Sequence, residues 1–295
     1  MKQAYRQERR FRPETRALLD KIISVVEDYG SQGYRLTLRQ LYYQLVAAAI
    51  IANVQKNYAK LSDLLGEARM CGLVDWEIIE DRIRVPKFPN EFSDIADGIG
   101  TLLEAYRLNR WQGQEKYVEV WVEKDALSGV LNPITQRYHV RLLVNRGYSS
   151  ISAMHDAALR FMQTRDKGKD CFVLYFGDHD PRGEDMVRDI DSRLTEFGCQ
   201  VEVKKIALTM EQVRQYNPPP NPAKMSDPRS SEYVAKHGEE SWELDALPPR
   251  VLNQLLVESI EDLLDKDLFD QLVERESLDK KKLKGLGDRS FEEAR

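Results

Sequence analysis

Three carboxylates stand where they could act together on one substrate. Two short apolar runs, Tyr117 to Val122 and Cys171 to Phe176, both lead into acidic residues. The first continues as Glu123-Lys124-Asp125, the second as Gly177-Asp178-His179-Asp180-Pro181-Arg182-Gly183. If the runs are strands of one sheet, Glu123, Asp178 and Asp180 arrive at one edge, where bare carboxylates repel one another. A hard divalent cation with oxygen ligands, Mg2+ or else Mn2+, would hold them together. It could polarise a phosphodiester, orient it for in-line attack and stabilise the leaving oxygen, which are the tasks of phosphoryl transfer. Lys124 and Arg182, at the turns from strand to helix, are placed as phosphate partners. Gly177 and Gly183 would let the backbone approach closely. His179 either assists proton transfer near neutrality or points away from the site. The Asp-x-Asp before proline also has a purely local reading, a turn that caps the next helix.

Such an edge requires strands alternating with helices, and the pattern predicts them. Tyr117 to Val122 is a strand followed by a helix to about Tyr138. Val140 to Val144 and a helix over Ser150 to Thr164 come next, then Cys171 to Phe176 and a helix over Pro181 to Glu196. Val201 to Leu208 is the fourth strand. This alternation predicts an α/β domain with a parallel sheet, whose active site belongs at the carboxyl ends of the strands.

The N-terminal part reads differently. Leu18, Leu19, Ile22, Ile23, Val25 and Val26 form the apolar face of a helix over residues 14 to 29, stopped by Gly30. Thr37 opens a second helix, Leu38 to about Ala49. A third spans Tyr58 to Cys71, and a compact, partly extended stretch from Val74 to Val85 ends before Pro86. This is the outline of a helix-turn-helix or winged-helix module, a type used both to read DNA and to bind proteins. The expected organisation is a basic N-terminal arm (1–20), a winged-helix-like domain (21–90), a Gly-containing linker (91–115) that follows Pro86 and Pro89, an α/β domain with a Pro-rich insertion (116–250) and a helical C-terminal tail (251–295).

A strand ending in glutamate, followed by a strand ending in Asp178-His179-Asp180-Pro181-Arg182-Gly183, resembles the Toprim domain of topoisomerases, primases and related nucleases. The Asp-x-Asp-Pro-x-Gly form is most similar to the topoisomerase VI A subunit and its meiotic double-strand-break relatives, over roughly residues 116 to 206. Thr37-Leu38-Arg39-Gln40-Leu41-Tyr42-Tyr43-Gln44 resembles the Arg-x-x-Tyr-Tyr segment of that family's DNA-binding domain, in which a tyrosine attacks the DNA backbone. Much of this length, the proline run included, is similar to chains of bacteria and their phages. The resemblance implies a Rossmann-type Toprim domain behind a winged helix, a Mg2+ site at Glu123, Asp178 and Asp180, and Tyr43 as nucleophile. It also implies a homodimer, in which the tyrosine of one subunit works with the metal of the other, and an ATPase partner subunit for strand passage.

On a helix Leu38, Leu41, Tyr42 and Leu45 share one face, so Tyr42 is expected in the core and Tyr43 elsewhere. Arg39, one turn before Tyr43, could hold the scissile phosphate and favour the phenolate. The alternative is that Tyr43 is only an amphipathic surface or packing aromatic. Between residues 207 and 250 the chain departs from the family pattern. Glu243 and Asp245 either extend the metal site or are acids at the start of a helix, and the prolines near Tyr216 to Pro222 exclude a central strand.

The chain has 295 residues, 42% hydrophobic and 32% charged, enough for one or two domains with real cores. Its net charge of -5 argues against a protein that coats nucleic acid indiscriminately. The first 110 residues nevertheless carry 17 Lys and Arg against 15 acids, and residues 1 to 16 hold six basic residues, Arg9 and Arg10 among them, against two acids. That segment could follow a phosphate backbone or be a solvated helix start. The basic stretch Lys280 to Lys284 lies in a tail expected to be solvated or to support a dimer. The longest apolar run is far short of a membrane span and no apolar signal core stands at the N-terminus. Cys71, Cys171 and Cys199 form no disulfide or zinc pattern, so a cytoplasmic location is expected. No phosphate-binding loop of the nucleotide hydrolases occurs. The function read here is metal-dependent DNA cleavage by tyrosine attack. The alternatives are a hydrolytic Toprim nuclease without a covalent intermediate, or a non-catalytic DNA-binding subunit of a larger defence complex.

Overall fold

The computed structural model describes residues 2, 4–7, 10–79, 89, 91–145, 150–223 and 226–292, with side chains to residue 285. Among these the chain begins with three helices, α1 (Pro13–Ser31), α2 (Leu38–Ala47) and α3 (Gln55–Met70), and a fourth, α4 (Ile95–Ala105). The alternating part follows as β1 (Lys116–Val122), α5 (Asp125–Tyr138), β2 (Arg141–Val144), α6 (Ile151–Arg165), β3 (Asp170–Phe176), α7 (Pro181–Glu196) and β4 (Glu202–Ala207). Then come α8 (Met210–Tyr216), the two-residue β5 (Asn221–Pro222), α9 (Ser230–His237), β6 (Glu240–Ser241), a 3-10 turn (Leu244–Ala246), α10 (Pro249–Glu261) and α11 (Lys266–Glu292).

The sheet is parallel throughout, in the order β2-β1-β3-β4. From β1 the chain winds outward to β2, then crosses back to β3 and on to β4, so the winding reverses between β1 and β3. A crevice opens at such a reversal beyond the carboxyl ends of the two strands. Both faces are covered. Val118, Val120, Val122, Leu174 and Phe176 face a core shared with α5 and α10, while Trp121, Val173 and Tyr175 face α6 and α7. Burial on two sides explains why these strands read as nearly continuous apolar runs.

Glu119 is the exception within β1: it is fully buried among apolar residues on the α6 side. Arg160 of α6 meets it with two bonds of 3.0 Å, and Tyr117 and Trp121 donate at 2.8 and 3.0 Å. Tyr117 and Trp121 share the face of Glu119, because β1 alternates with period two, and Arg160 comes from the helix that covers that face. Arg160→Ala would leave the carboxylate buried without its counter-charge. A loss of about 2–3 kcal/mol is expected in urea unfolding, below the range for fully buried pairs because Arg160 stays 30% exposed.

The helical part has its own core, built from Leu19, Ile22 and Val26 of α1, Leu41 and Leu45 of α2, and Leu61, Leu65 and Ala68 of α3. Thr37 and Gln40 form a capping box that starts α2. The helix ends at Ala47, short of the expected Ala49, because Ala49 takes a left-handed conformation with φ 54°. Helix α1 crosses the expected boundary at residue 20, since Leu19 and Ile22 belong to one buried face. The arm before it lies on α3, where Tyr5 and Arg6 donate their N–H groups to the Met70 carbonyl. The stretch expected from Val74 to Val85 lies, from residue 80 on, outside the described residues.

The C-terminal segment is more than a solvated tail. Val251, Leu252, Leu256 and Ile260 of α10 pack into the main core, and Phe269 of α11 joins them. Glu276, 4% exposed, accepts from Leu108 N–H at 2.9 Å and from Arg110 at 3.1 Å, tying α11 to the segment before β1. The proline run enters the structure only as β5, paired antiparallel with β6, in keeping with its exclusion from a central strand. Among the described residues no helix is long and apolar enough to cross a membrane.

Candidate functional site

Glu123 follows β1 and Asp178 lies two residues beyond β3, so both stand at the point where the winding reverses. The Glu123 N–H donates to the Phe176 carbonyl at 2.9 Å, and Glu123 Oε2 accepts from Asp178 N–H at 3.3 Å and the Tyr175 hydroxyl at 3.4 Å. Asp178 Oδ1 accepts from Leu244 N–H at 2.8 Å and pairs with Lys124 Nζ at 2.7 Å. Asp180 is used differently. Its carboxylate accepts from Gly183 N–H at 2.6 Å and caps α7, with Pro181 at the first helical position. The structure thus brings Glu123 and Asp178 together, and gives Asp180 the cap that its local reading described. A Cβ on Gly183 would meet the Asp178 carbonyl oxygen at 2.0 Å, so only glycine permits this approach of helix to strand end.

The remaining acids arrive from the turn after β6. Glu243 and Asp245 flank Leu244, whose N–H is anchored on Asp178, and both carboxylates face the strand ends. Their charges meet two cations. Lys124 contacts Asp178 and Glu243 and lies 3.8 Å from Asp245. Arg39 of α2 reaches over from the helical part to Glu243 at 2.8 Å and Asp245 at 3.0 Å. Glu243 and Asp245 converge on the strand-end acids and also open the 3-10 turn, Glu243 at its N-cap position and Asp245 in its first turn, so both readings of these acids have their geometry.

Four carboxylates against two cations leave an acid excess. Burial pushes Asp178 up to about 7; Lys124 opposes this, and Glu243, Glu123 and Asp245 add to it. Burial would lower Lys124, but Asp178, Asp245 and Glu243 together raise it above an ordinary lysine. Glu243 ends below an ordinary glutamate, because Lys124 and Arg39 outweigh its burial. Asp245 is 1% exposed, and neither of its oxygens has a well-formed hydrogen bond. Lys124, expected as a phosphate partner, is the internal counter-ion of this cluster, while Arg182 lies half-buried at the start of α7.

Tyr43 corrects an expectation. Both Tyr42 and Tyr43 are buried in the helical core, at 5% and 8% exposure, with their rings edge to face at 5.4 Å. The face Tyr43 was expected to leave free is covered by the turn that carries Ala246, which packs into the same core. Arg39 stands 5.8 Å from the Tyr43 ring and does favour the phenolate, yet burial and Glu243 outweigh it, so the phenol lies above its ordinary range. Tyr43 nevertheless stands beside the acid cluster of its own chain.

Of the basic arm, Lys2 pairs with Glu27 at 2.6 Å, Arg6 with Glu67 at 3.5 Å and Arg16 with Asp20 at 3.0 Å. Arg10 is exposed, and Arg9 lies outside the described residues.

His179 points away from the acid cluster. Its backbone pairs in both directions with Trp242, at 2.8 and 2.9 Å, and its ring lies between α7 and α9. Burial pushes the imidazole down to about 4; Glu184 opposes this, and Lys205 and His237 add to it. Between about 4 and the ordinary value near 6.5 the unfolded chain binds a proton that the folded chain does not. This part of the stability is therefore complete above pH 6.5 and lost as the pH falls towards 4. Thermal melts with a chelator present should show that decline in the wild type, and a shallower one in His179→Gln.

Compared by sequence with known proteins, the chain matches no family model and no curated protein.

Proposed function

We propose that this chain cleaves DNA strands with a divalent metal at the acid cluster. Its α/β part would act as a Toprim-like domain and its N-terminal helices as a winged-helix-like DNA-binding unit. The observation that carries this reading is the gathering of Glu123, Asp178, Glu243 and Asp245 where the winding of a parallel sheet reverses, beside Arg39 and Tyr43 of α2. The donors are all oxygens, their charge exceeds that of the two cations, and Asp245 has hydrogen-bonding capacity unused. These features fit a hard cation such as Mg2+ or Mn2+. Glu123 and Asp178 would hold it with help from Glu243 and Asp245, and Asp180 would join only by giving up its cap on α7. When bound, the ion supplies Lewis-acid polarisation of the phosphate and neutralises developing charge.

The side chains divide the remaining work. Arg39, released from Glu243 and Asp245, is shaped to take two oxygens of the scissile phosphate. Lys124 balances whichever carboxylates the ion leaves. In the tyrosine route the Tyr43 hydroxyl gives up its proton, its oxygen attacks phosphorus, and the P–O bond to one ester oxygen breaks, that oxygen leaving as a protonated strand-end hydroxyl while a covalent protein–DNA link remains. Double-strand cleavage takes two copies, so a homodimer belongs to this proposal, and strand passage would need an ATPase partner. A second reading, in which activated water replaces the tyrosine, is favoured by the burial of Tyr43 and its raised phenol.

The test is incubation with supercoiled plasmid and Mg2+ or Mn2+, stopped with detergent and run with and without proteinase. Metal-dependent breaks whose mobility changes after proteinase support the tyrosine route. Breaks indifferent to proteinase support hydrolysis. Intact plasmid at every metal concentration overturns autonomous cleavage and leaves DNA binding as the role to measure.

A further inference from the structure

The acid cluster takes up one side of the β3 end, and a second group of side chains converges on the other. His179, Glu184 and His237 bring one ligand atom each to within 4.8 Å of one another. They include two of the chain's four histidines.

The hydrogen bonds around His179 fix which ring nitrogen faces this group. Nδ1 lies 2.8 Å from the Tyr233 hydroxyl. That hydroxyl also lies 3.0 Å from the His179 carbonyl and 3.1 Å from the Glu240 carbonyl, and both of these only accept. With its proton given to a carbonyl, the tyrosine oxygen accepts the Nδ1 proton, and Nε2 is left with a lone pair. Nε2 stands 3.7 Å from Glu184 Oε1, too far for a hydrogen bond. The His237 ring stands 4.8 Å from the His179 ring, centroid to centroid, nearly perpendicular to it at 87°. Nε2 thus presents a lone pair towards the Glu184 carboxylate, whose same oxygen also pairs with Lys205, with a second imidazole alongside.

We propose that His179, Glu184 and His237 bind a divalent transition-metal ion of the Zn2+ type, in a site separate from the acid cluster. Imidazole selects zinc and its neighbours over Mg2+, whereas the all-oxygen cluster across the strand has the opposite preference. Zinc bonds to nitrogen and oxygen run to about 2.0–2.2 Å. Two ligands of one tetrahedral ion therefore stand roughly 3.3–3.6 Å apart, and closing the group takes a shift of up to about an ångström or slightly more. Glu184 and the half-exposed His237 can provide it. Tyr233 orients His179 through the nitrogen that does not bind metal, and Lys205 holds the Glu184 carboxylate while donating to the Asp178 carbonyl at 2.9 Å. Glu184, Tyr233 and His237 also line a cavity of about 270 Å³, room for water or a small anion at an open coordination position. The ion would clip α9 to the start of α7.

The test is equilibrium dialysis of the full, tag-free chain, stripped with chelator, against Zn2+ in the presence of millimolar Mg2+. One Zn2+ per chain is expected, and Mg2+ should not displace it. His237→Ala and Glu184→Gln should each weaken binding at least about tenfold, and Tyr233→Phe, which removes a positioning contact, by a similar factor. His155→Ala, at an exposed histidine outside the group, should bind as the wild type does. Zn2+ should raise the melting temperature of the wild type, and raise those of His237→Ala and Glu184→Gln less at the same Zn2+ concentration. Absence of stoichiometric Zn2+ in the wild type overturns the proposal. So does full retention of Zn2+ in both ligand variants, or its loss in Asp178→Asn alone, which would assign the ion to the acid cluster.

Discussion

Replacing Lys124 by methionine is expected to lower the stability of the protein by about 3–5 kcal/mol, the usual cost of removing one partner from a buried ionic group. For a chain of this size that is a drop in melting temperature on the order of 10 °C. Lys124 is 16% exposed and is shared by Asp178, Glu243 and Asp245, and Arg39 alone cannot balance them. The sign of the pH dependence follows from Asp178, whose folded value already lies near 7 against about 4 in the unfolded chain. Ionising it in the folded state costs stability, a cost absent below about pH 4 and complete above about pH 7. Without Lys124 the folded value rises further. The loss relative to wild type should therefore be largest at pH 8 and shrink towards pH 5. If the cluster accepts a divalent ion, millimolar Mg2+ should restore part of the lost melting temperature in Lys124→Met. A variant that melts like wild type at pH 8 would mean that Lys124 is not the cation that holds these acids.

Asp178→Asn is expected to reduce metal-dependent DNA cleavage by about 10³-fold or more, equivalent to at least about 4 kcal/mol of lost charge stabilisation in the transition state. Asparagine keeps an acceptor for Leu244 N–H, so the turn carrying Glu243 and Asp245 should stay in place. DNA binding, measured separately, should change far less than cleavage. Tyr43→Phe then divides the two chemical routes, because it removes only the hydroxyl from a buried ring. Loss of both cleavage and the proteinase-sensitive DNA species identifies Tyr43 as the nucleophile. Retained cleavage in Tyr43→Phe, with loss in Asp178→Asn, identifies water. Undiminished cleavage in Asp178→Asn would remove the acid cluster from the reaction altogether.

The α/β alternation was legible in the residues themselves. The helix expected over Pro181 to Glu196 forms over those residues, and Glu123 and Asp178 stand at the strand ends where the apolar runs placed them. Such features are local: a strand or helix declares itself through neighbours a few positions away, and a proline after an acid marks the start of a helix. The local rule also contained the cap made by Asp180, as one of its two readings. Sequence pattern further placed Arg39 and Tyr43 on one helix.

The meeting of charges was decided by the tertiary structure. Arg39 and Glu243 are 204 residues apart, and Lys124 and Glu243 are 119 apart. No periodicity links residues at such distances, and only the packing of the turn around Ala246 against α2 brings them within reach. The same packing buries Tyr43, reversing what its helix face alone implied. Burial then sets the electrostatics, raising Asp178 and Tyr43 where composition would leave them ordinary. The buried Glu119–Arg160 pair and the His179, Glu184 and His237 group are of the same kind. Each residue is unremarkable in the sequence and acquires its chemistry from neighbours brought by other elements. Strand and helix follow from short-range sterics and the period of apolar residues; the site follows from long-range pairing in a medium of low dielectric, where a charge is tolerated only beside its partner.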